Sequence, residues 1–156
     1  MNWDAIGAIG EILGATVVFI TLLFLLRQLR QNTDGLRVQA LNATYGEWNS
    51  MAGELIAQPE LRAAYVKDRN GEQLNEDEFL ILILYYVRML NVNDKAYHFY
   101  LQGTADEFNF VNMQKTLLLV LRESNLFDDW WQAEKWRFSA PFQELIDREH
   151  HSVPGT

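Results

Sequence analysis

Apolar residues run almost unbroken from Ala5 to Leu26, with Glu11, Thr16 and Thr21 as the polar exceptions. A helix over that stretch rises about 33 Å at roughly 1.5 Å per residue, enough to cross a hydrocarbon layer of roughly 30 Å with slight tilt. The pattern therefore predicts a transmembrane helix. The opening Met1-Asn2-Trp3-Asp4 carries no basic side chain, whereas Arg27, Arg30 and Arg37 follow the apolar run, the reverse of a cleavable signal peptide. By the positive-inside rule the N-terminus is exported and the C-terminal flank stays in the cytoplasm. Trp3 then anchors one membrane interface, and Arg27 and Arg30 anchor the other.

Beyond the apolar run the periodicity stays helical. Leu36, Ala40, Ala43, Trp48, Met51 and Leu55 recur near helical spacing, which extends the first helix past Gly35 as a stalk. Pro59 ends or kinks it, a short helix covers Glu60 to Lys67, and Asn70-Gly71 forms a turn. Asn75 followed by Glu78 is a capping-box pattern, and it opens the longest later helix, Glu76 to Leu101. Inside it, Phe79 to Val87 holds nine residues without a charge, too short to span a membrane and expected to be buried on most sides. Gly103 closes that helix. Asp106 to Glu123 forms the next, an aromatic-rich stretch runs from Phe127 to Phe138, and Ser139 caps a last helix from Pro141 to Glu149.

These elements predict an all-α chain: one N-terminal transmembrane helix, extended as a stalk, and a cytoplasmic bundle of about five helices. The organisation reads as an anchor at 1–30, a helical stalk at 31–58, a bundle at 59–151 and a flexible tail at 152–156.

The transmembrane helix differs around its circumference. At about 100° per residue, Trp3, Gly7, Gly10, Glu11, Gly14, Val18, Thr21 and Gln28 share one face, and Ile9, Ile12, Phe19, Ile20 and Leu23 share the other. Gly10 and Gly14 form a G-x-x-x-G spacing that lets a second helix approach closely, where lipid offers no hydrophobic drive for association. An ionised Glu11 facing lipid costs several kcal/mol, and a chain with one span has no second helix of its own to shelter it. The expectation is a homo-oligomer, or a larger membrane complex, with Gly7, Gly10, Gly14 and Thr21 at the contact. Glu11 then either hydrogen-bonds a neighbouring helix or lines a cation or proton path.

Charge narrows the range of partners. The chain has 13 Lys and Arg against 21 Asp and Glu, a net charge of −8. Residues from Gln31 onward hold 11 of the basic and 19 of the acidic side chains, so that part carries the whole imbalance. Nucleic acid is disfavoured, and so is contact of the bundle with an anionic leaflet. The absence of cysteine excludes disulfides, thiolate metal sites and cysteine nucleophiles.

The remaining chemistry is sparse. His98, His150 and His151 are the histidines, and none lies in H-E-x-x-H or Glu-x-x-His. Asp94 with His98, and Asp147 with His150, have spacings that could share a helix face and hold a metal. Placement among Tyr97, Phe99 and Tyr100 argues instead for His98 as a packed core or interface histidine, and for His150-His151 as a solvated terminus. No G-x-S-x-G, P-loop or G-x-G-x-x-G occurs. Phe127, Trp130, Trp131 and Phe138 fall at helical intervals and read as an aromatic core of a small bundle or a subunit contact. No catalytic residue, metal site or cofactor is assigned.

The run Trp3-Asp4-Ala5-Ile6-Gly7-Ala8-Ile9-Gly10-Glu11-Ile12-Leu13-Gly14, the segment Arg27-Gln28-Leu29-Arg30-Gln31-Asn32-Thr33, and the later Tyr97-His98-Phe99-Tyr100-Leu101-Gln102-Gly103 and Trp130-Trp131 resemble a family of small single-pass inner-membrane proteins of marine and related bacteria. That family has no established activity, so the resemblance implies a bacterial inner membrane and no mechanism. The reading that follows is a membrane-anchored, self-associating helical scaffold or accessory subunit without catalysis. A homo-oligomeric pore using Glu11, or a tethered enzyme or small-ligand binder, are the other readings the residues permit.

The charge asymmetry generates a test of orientation. A cysteine replacing Asn2 is expected to react with an impermeant maleimide in intact cells and one replacing Gly155 is not; the opposite pattern would reverse the topology.

Overall fold

Nothing between the apolar run and Pro59 breaks the helix. The computed structural model describes residues 3–151, and the side chains of residue 11 and residues 13–150. In it a single helix, α1, runs Trp3–Ala57, 55 residues long. Gly35, Gly46 and Gly53 lie inside it without interrupting it. The break comes at Gln58, whose backbone is extended at φ −103° and ψ 103°, because the ring of Pro59 excludes the helical conformation from the residue before it.

The remaining helices are α2 (Pro59–Arg69), α3 (Glu76–Leu101), α4 (Glu107–Arg122), α5 (Phe127–Glu134) and α6 (Ala140–His151), with a 3₁₀ turn at Lys135–Arg137. No strand occurs among the described residues. The all-α architecture is therefore as the periodicity predicts, with one long apolar N-terminal helix followed by shorter ones. The predicted tail at 152–156 lies outside the described residues.

The stops are set by local chemistry. At the ends of α2 and α3, Gly71 and Gly103 take left-handed conformations at φ 70° and φ 68°, which cost a glycine nothing. In each case the next residue's N–H reaches back five positions, Glu72 to the Lys67 carbonyl and Thr104 to the Phe99 carbonyl, both at 2.9 Å. This is the Schellman closure. The starts are equally specific. Asn75 and Glu78 form the reciprocal capping box, and the Asp106 carboxylate accepts from the Asn109 N–H at 3.1 Å to open α4.

The chain divides into two units, Met1–Ala40 and Leu41–Thr156, with the boundary inside α1. In the first unit every described side chain from residue 13 to residue 40 is exposed. In the second, residues 41–57, read from the sequence as the end of a stalk, are grouped with the later helices. Leu41, Thr44 and Met51 are buried, and the Tyr85 hydroxyl donates to the Met51 carbonyl at 3.2 Å. Arg88 of α3 pairs with Glu47 at 3.2 Å and Glu54 at 2.6 Å. Those acids stand seven residues apart, two turns of one helix face.

The core of this unit joins Met51, Leu61, Ala64, Leu82, Tyr86, Leu90, Leu117, Leu121, Phe127, Trp131, Phe142 and Ile146. The aromatic-core reading of Phe127 to Phe138 is correct for Phe127, Trp131 and Phe138, which are buried, with Trp131 stacked on Phe127 at 5.6 Å and on Phe138 at 5.4 Å. One expectation needs correction. Phe79 to Val87 is not buried on most sides: Leu82, Ile83, Tyr85 and Tyr86 are buried, whereas Phe79, Leu80 and Leu84 are exposed. The helix has α2 and α4 against part of its circumference, and in so small a bundle the remaining arc faces outward.

Two aspartates fasten the later helices to the earlier ones. Asp68, buried in the last turn of α2, accepts from the backbone N–H groups of Asn125 and Leu126, both at 3.1 Å. It also accepts from the Tyr86 hydroxyl at 3.0 Å, and its own carbonyl accepts from the Asn125 carboxamide. Asp94 of α3 accepts from the Ser139 N–H at 2.9 Å and the Ser139 hydroxyl at 2.6 Å. Thus the Ser139 side chain, expected to cap α6, donates to α3 instead. Both carboxylates stabilise the polar backbone at the start of a remote helix.

Removing the Asp68 carboxylate would leave one buried hydroxyl, on Tyr86, and two part-buried N–H groups without their acceptor, at about 1–3 kcal/mol for a fully buried group and less for the others. Asp68→Ala is expected to destabilise the bundle by about 2 kcal/mol or more in urea unfolding followed by circular dichroism. Asp68→Asn, which keeps an acceptor, should cost less. Equal losses in both variants would show that the carbonyl and packing, not the carboxylate, make the join.

Candidate membrane-embedded interface

Among the described residues one helix, the Leu13–Ala57 part of α1, is long and apolar enough to cross a membrane, and none of its most apolar stretch is buried. Every large apolar side chain from Leu13 to Leu29 is between 47% and 63% exposed. No other part of the described chain covers them.

Within this surface Glu11, Gly14, Thr21, Arg27 and Arg30 are all exposed. A Cβ placed on Gly14 would meet nothing within 4 Å, so the helix itself has no need of a glycine there. The Thr21 hydroxyl donates to the Val17 carbonyl at 2.8 Å. Its polarity is satisfied inside its own helix, which leaves small size, not a free donor, as its contribution to any contact. Helical geometry puts Glu11, Gly14, Val18 and Thr21 on one side, as the spacing predicts. Trp3, Gly7 and Gly10 belong to α1, and their surroundings lie outside the described residues.

The histidine expectations need correction. The His98 side chain is 52% exposed and stands 3.8 Å from Asp94, whose carboxylate is engaged by Ser139. It is not a core residue, because Ala96 and Tyr97 turn toward the core and carry the next position outward, which leaves the interface half of that expectation. His150 is the reverse: its side chain is 8% exposed and meets Asp128 at 2.8 Å. Its ring also packs edge-on against Phe127 at 5.1 Å. His150 is therefore part of the α5–α6 packing and not a solvated terminus; the His151 side chain lies outside the described residues. Asp147 accepts from Trp131 Nε1 at 2.7 Å and Lys135 at 2.8 Å, so the Asp147–His150 spacing serves packing contacts. Among the described residues no group of three His, Asp or Glu side chains is placed to hold a metal ion.

Sequence reasoning overlooked a cleft of about 310 Å³ between residues 45–49 of α1 and α4, lined by Tyr45, Trp48, Asn49, Asn109, Asn112, Met113 and Thr116. It has carboxamides and an aromatic wall but no charged group. Its one aliphatic hydroxyl, on Thr116, donates to the Asn112 carbonyl at 3.0 Å. Such a lining offers hydrogen bonds to a neutral molecule and supplies no base or activated nucleophile. It was not legible because Tyr45 and Asn109 are far apart in the chain. Asp68 was also missed, yet it left a sign: an acid in the last turn of a helix opposes the macrodipole, so some other donor must hold it.

Burial pushes the hydroxyls of Tyr45, Tyr65, Tyr85 and Tyr86 above the usual tyrosine range, with Asp106 adding to the effect at Tyr45 and Asp68 at Tyr86. The hydrogen bond from Lys67 holds the Glu78 carboxyl below its usual range, and the Asn75 N–H adds to this. The chain matches no protein-family model, no curated protein and no solved structure.

The tyrosines set a pH dependence. Their folded pKa values are raised, so the stability they contribute is full below the unfolded value of about 10 and is lost as pH rises above it. Tyrosinate absorbance and loss of helix are therefore expected to advance together above pH about 10. Ionisation of all six tyrosines with the helix signal intact would contradict their burial.

Proposed function

We infer that the protein is a single-pass membrane protein that self-associates through α1 and presents its helical bundle as a scaffold or accessory subunit, without catalysis. One observation carries this reading: an apolar helix whose exposed face places an acid, Glu11, beside a glycine, Gly14, that has open space around it. Lipid satisfies the apolar side chains, but it does not satisfy Glu11. A second copy of the same helix does, and glycine allows the two backbones to approach.

The arginines at 27, 30 and 37 support a cytoplasmic bundle and an exported N-terminus. The resemblance of the opening residues supports the bacterial inner membrane as the location. The uncharged cleft at Trp48 and the engagement of Asp94 and Asp147 in packing favour a non-enzymatic role, since no free acid–base pair lines a cavity there.

Because a side chain at Gly14 meets nothing in the single chain, Gly14→Ile changes association without disturbing the helix. In detergent, light scattering of the full chain is expected to show assembly weakened by at least about tenfold, equal to ~1.4 kcal/mol. Glu11→Gln, which keeps a hydrogen-bonding head, is expected to assemble. A monomeric parent, or unchanged assembly of Gly14→Ile, would remove the basis for the scaffold reading. Conductance in lipid that Glu11→Gln abolishes would replace it with a pore.

A further inference from the structure

We propose that two copies of α1 pair in parallel and in register from the end of the apolar run onward, Leu22 to Gln39, as a coiled coil with Asn32 in its core. The inference rests on the reading that α1 spans a membrane, which points both copies the same way.

The periodicity is heptad. Leu22, Leu29 and Leu36 recur every seven residues, and Leu25, Asn32 and Gln39 follow three positions after each. These are the two inward positions of a coiled coil. The backbone is helical throughout, so the phase set within the apolar run carries past Arg27 and Arg30. There it presents Leu29 at 62% and Leu36 at 66% exposure, beyond the charged end of the run where lipid no longer explains them.

Charge identifies what covers this seam. Between Glu11 and Glu47 the charged residues are Arg27, Arg30, Asp34 and Arg37. Their spacing of three and four puts all four on the outer positions of the same heptads, opposite the leucines. Thus a chain with net charge −8, whose copies repel, keeps one helical stripe free of charge where two copies can meet. Asn32 selects an identical partner. Its carboxamide both donates and accepts, so two at one level satisfy each other, and a buried asparagine layer fixes register at some cost in stability. The seam also continues the Val18 side of the membrane-embedded face.

The absence of cysteine makes the test direct. Single cysteines at each position from 26 to 40 of the full chain, in native membranes, are oxidised with copper phenanthroline. A disulfide needs Cα atoms within about 7 Å, so Leu29, Asn32 and Leu36 should cross-link at least about tenfold faster than Arg30, Asp34 and Arg37. Cysteines at Gly14 and Val18 serve as the membrane-embedded comparison. Cross-links there with none at Leu29 or Leu36 overturn this inference and leave the proposed function standing. Cross-links at no position overturn both, and a profile peaking on the arginine face overturns the seam by showing a different contact.

Discussion

From Leu13 to Leu29 a helix stands with none of the described chain around its apolar side chains, and everything proposed for this chain depends on that exposure. Its backbone is satisfied internally, so the helix tolerates either water or lipid along its main chain. Its side chains do not: leaving a leucine or phenylalanine in water forgoes about 1.5–3 kcal/mol, and none of those side chains is buried. In the proposed reading lipid removes that penalty around most of the circumference. It fails at Glu11, and beyond Arg27 it no longer reaches Leu29 and Leu36. The two proposed contacts between copies lie at the places where lipid cannot be the partner.

The second unit, Leu41–Thr156, meets a different constraint, an excess of acid in a small volume. Asp68, Asp94 and Asp106 all accept from N–H groups at or just before helix starts, where unpaired donors and the positive end of the helix dipole favour a carboxylate. Glu47 and Glu54 converge on Arg88, and Asp147 on Trp131 and Lys135. Acids that would otherwise repel one another therefore act as the fasteners between helices.

The candidate interface was legible in the sequence as far as one helix carries it. Spacing alone put Glu11, Gly14 and Thr21 on one side, since helical phase needs no tertiary information. What spacing could not show is that the Thr21 hydroxyl turns back to Val17, or that His98 lies outside the core and His150 within the packing. Each histidine's setting depends on a residue of another helix: Ser139 takes Asp94 away from His98, and Phe127 and Asp128 enclose His150.

By itself the sequence determined the helical class, the stops and starts at Gln58, Gly71, Asn75 and Gly103, and the uninterrupted run of α1, because all of these follow from interactions within about five residues. Only the tertiary structure decided that residues 41–57 of α1 join the later helices through Met51, Glu47 and Glu54, that Phe79, Leu80 and Leu84 face outward, and that Asp68 and Asp94 secure the starts of distant segments. Those outcomes depend on which surfaces meet. A helix's periodicity states that it has an apolar side and leaves open how wide an arc its neighbours cover.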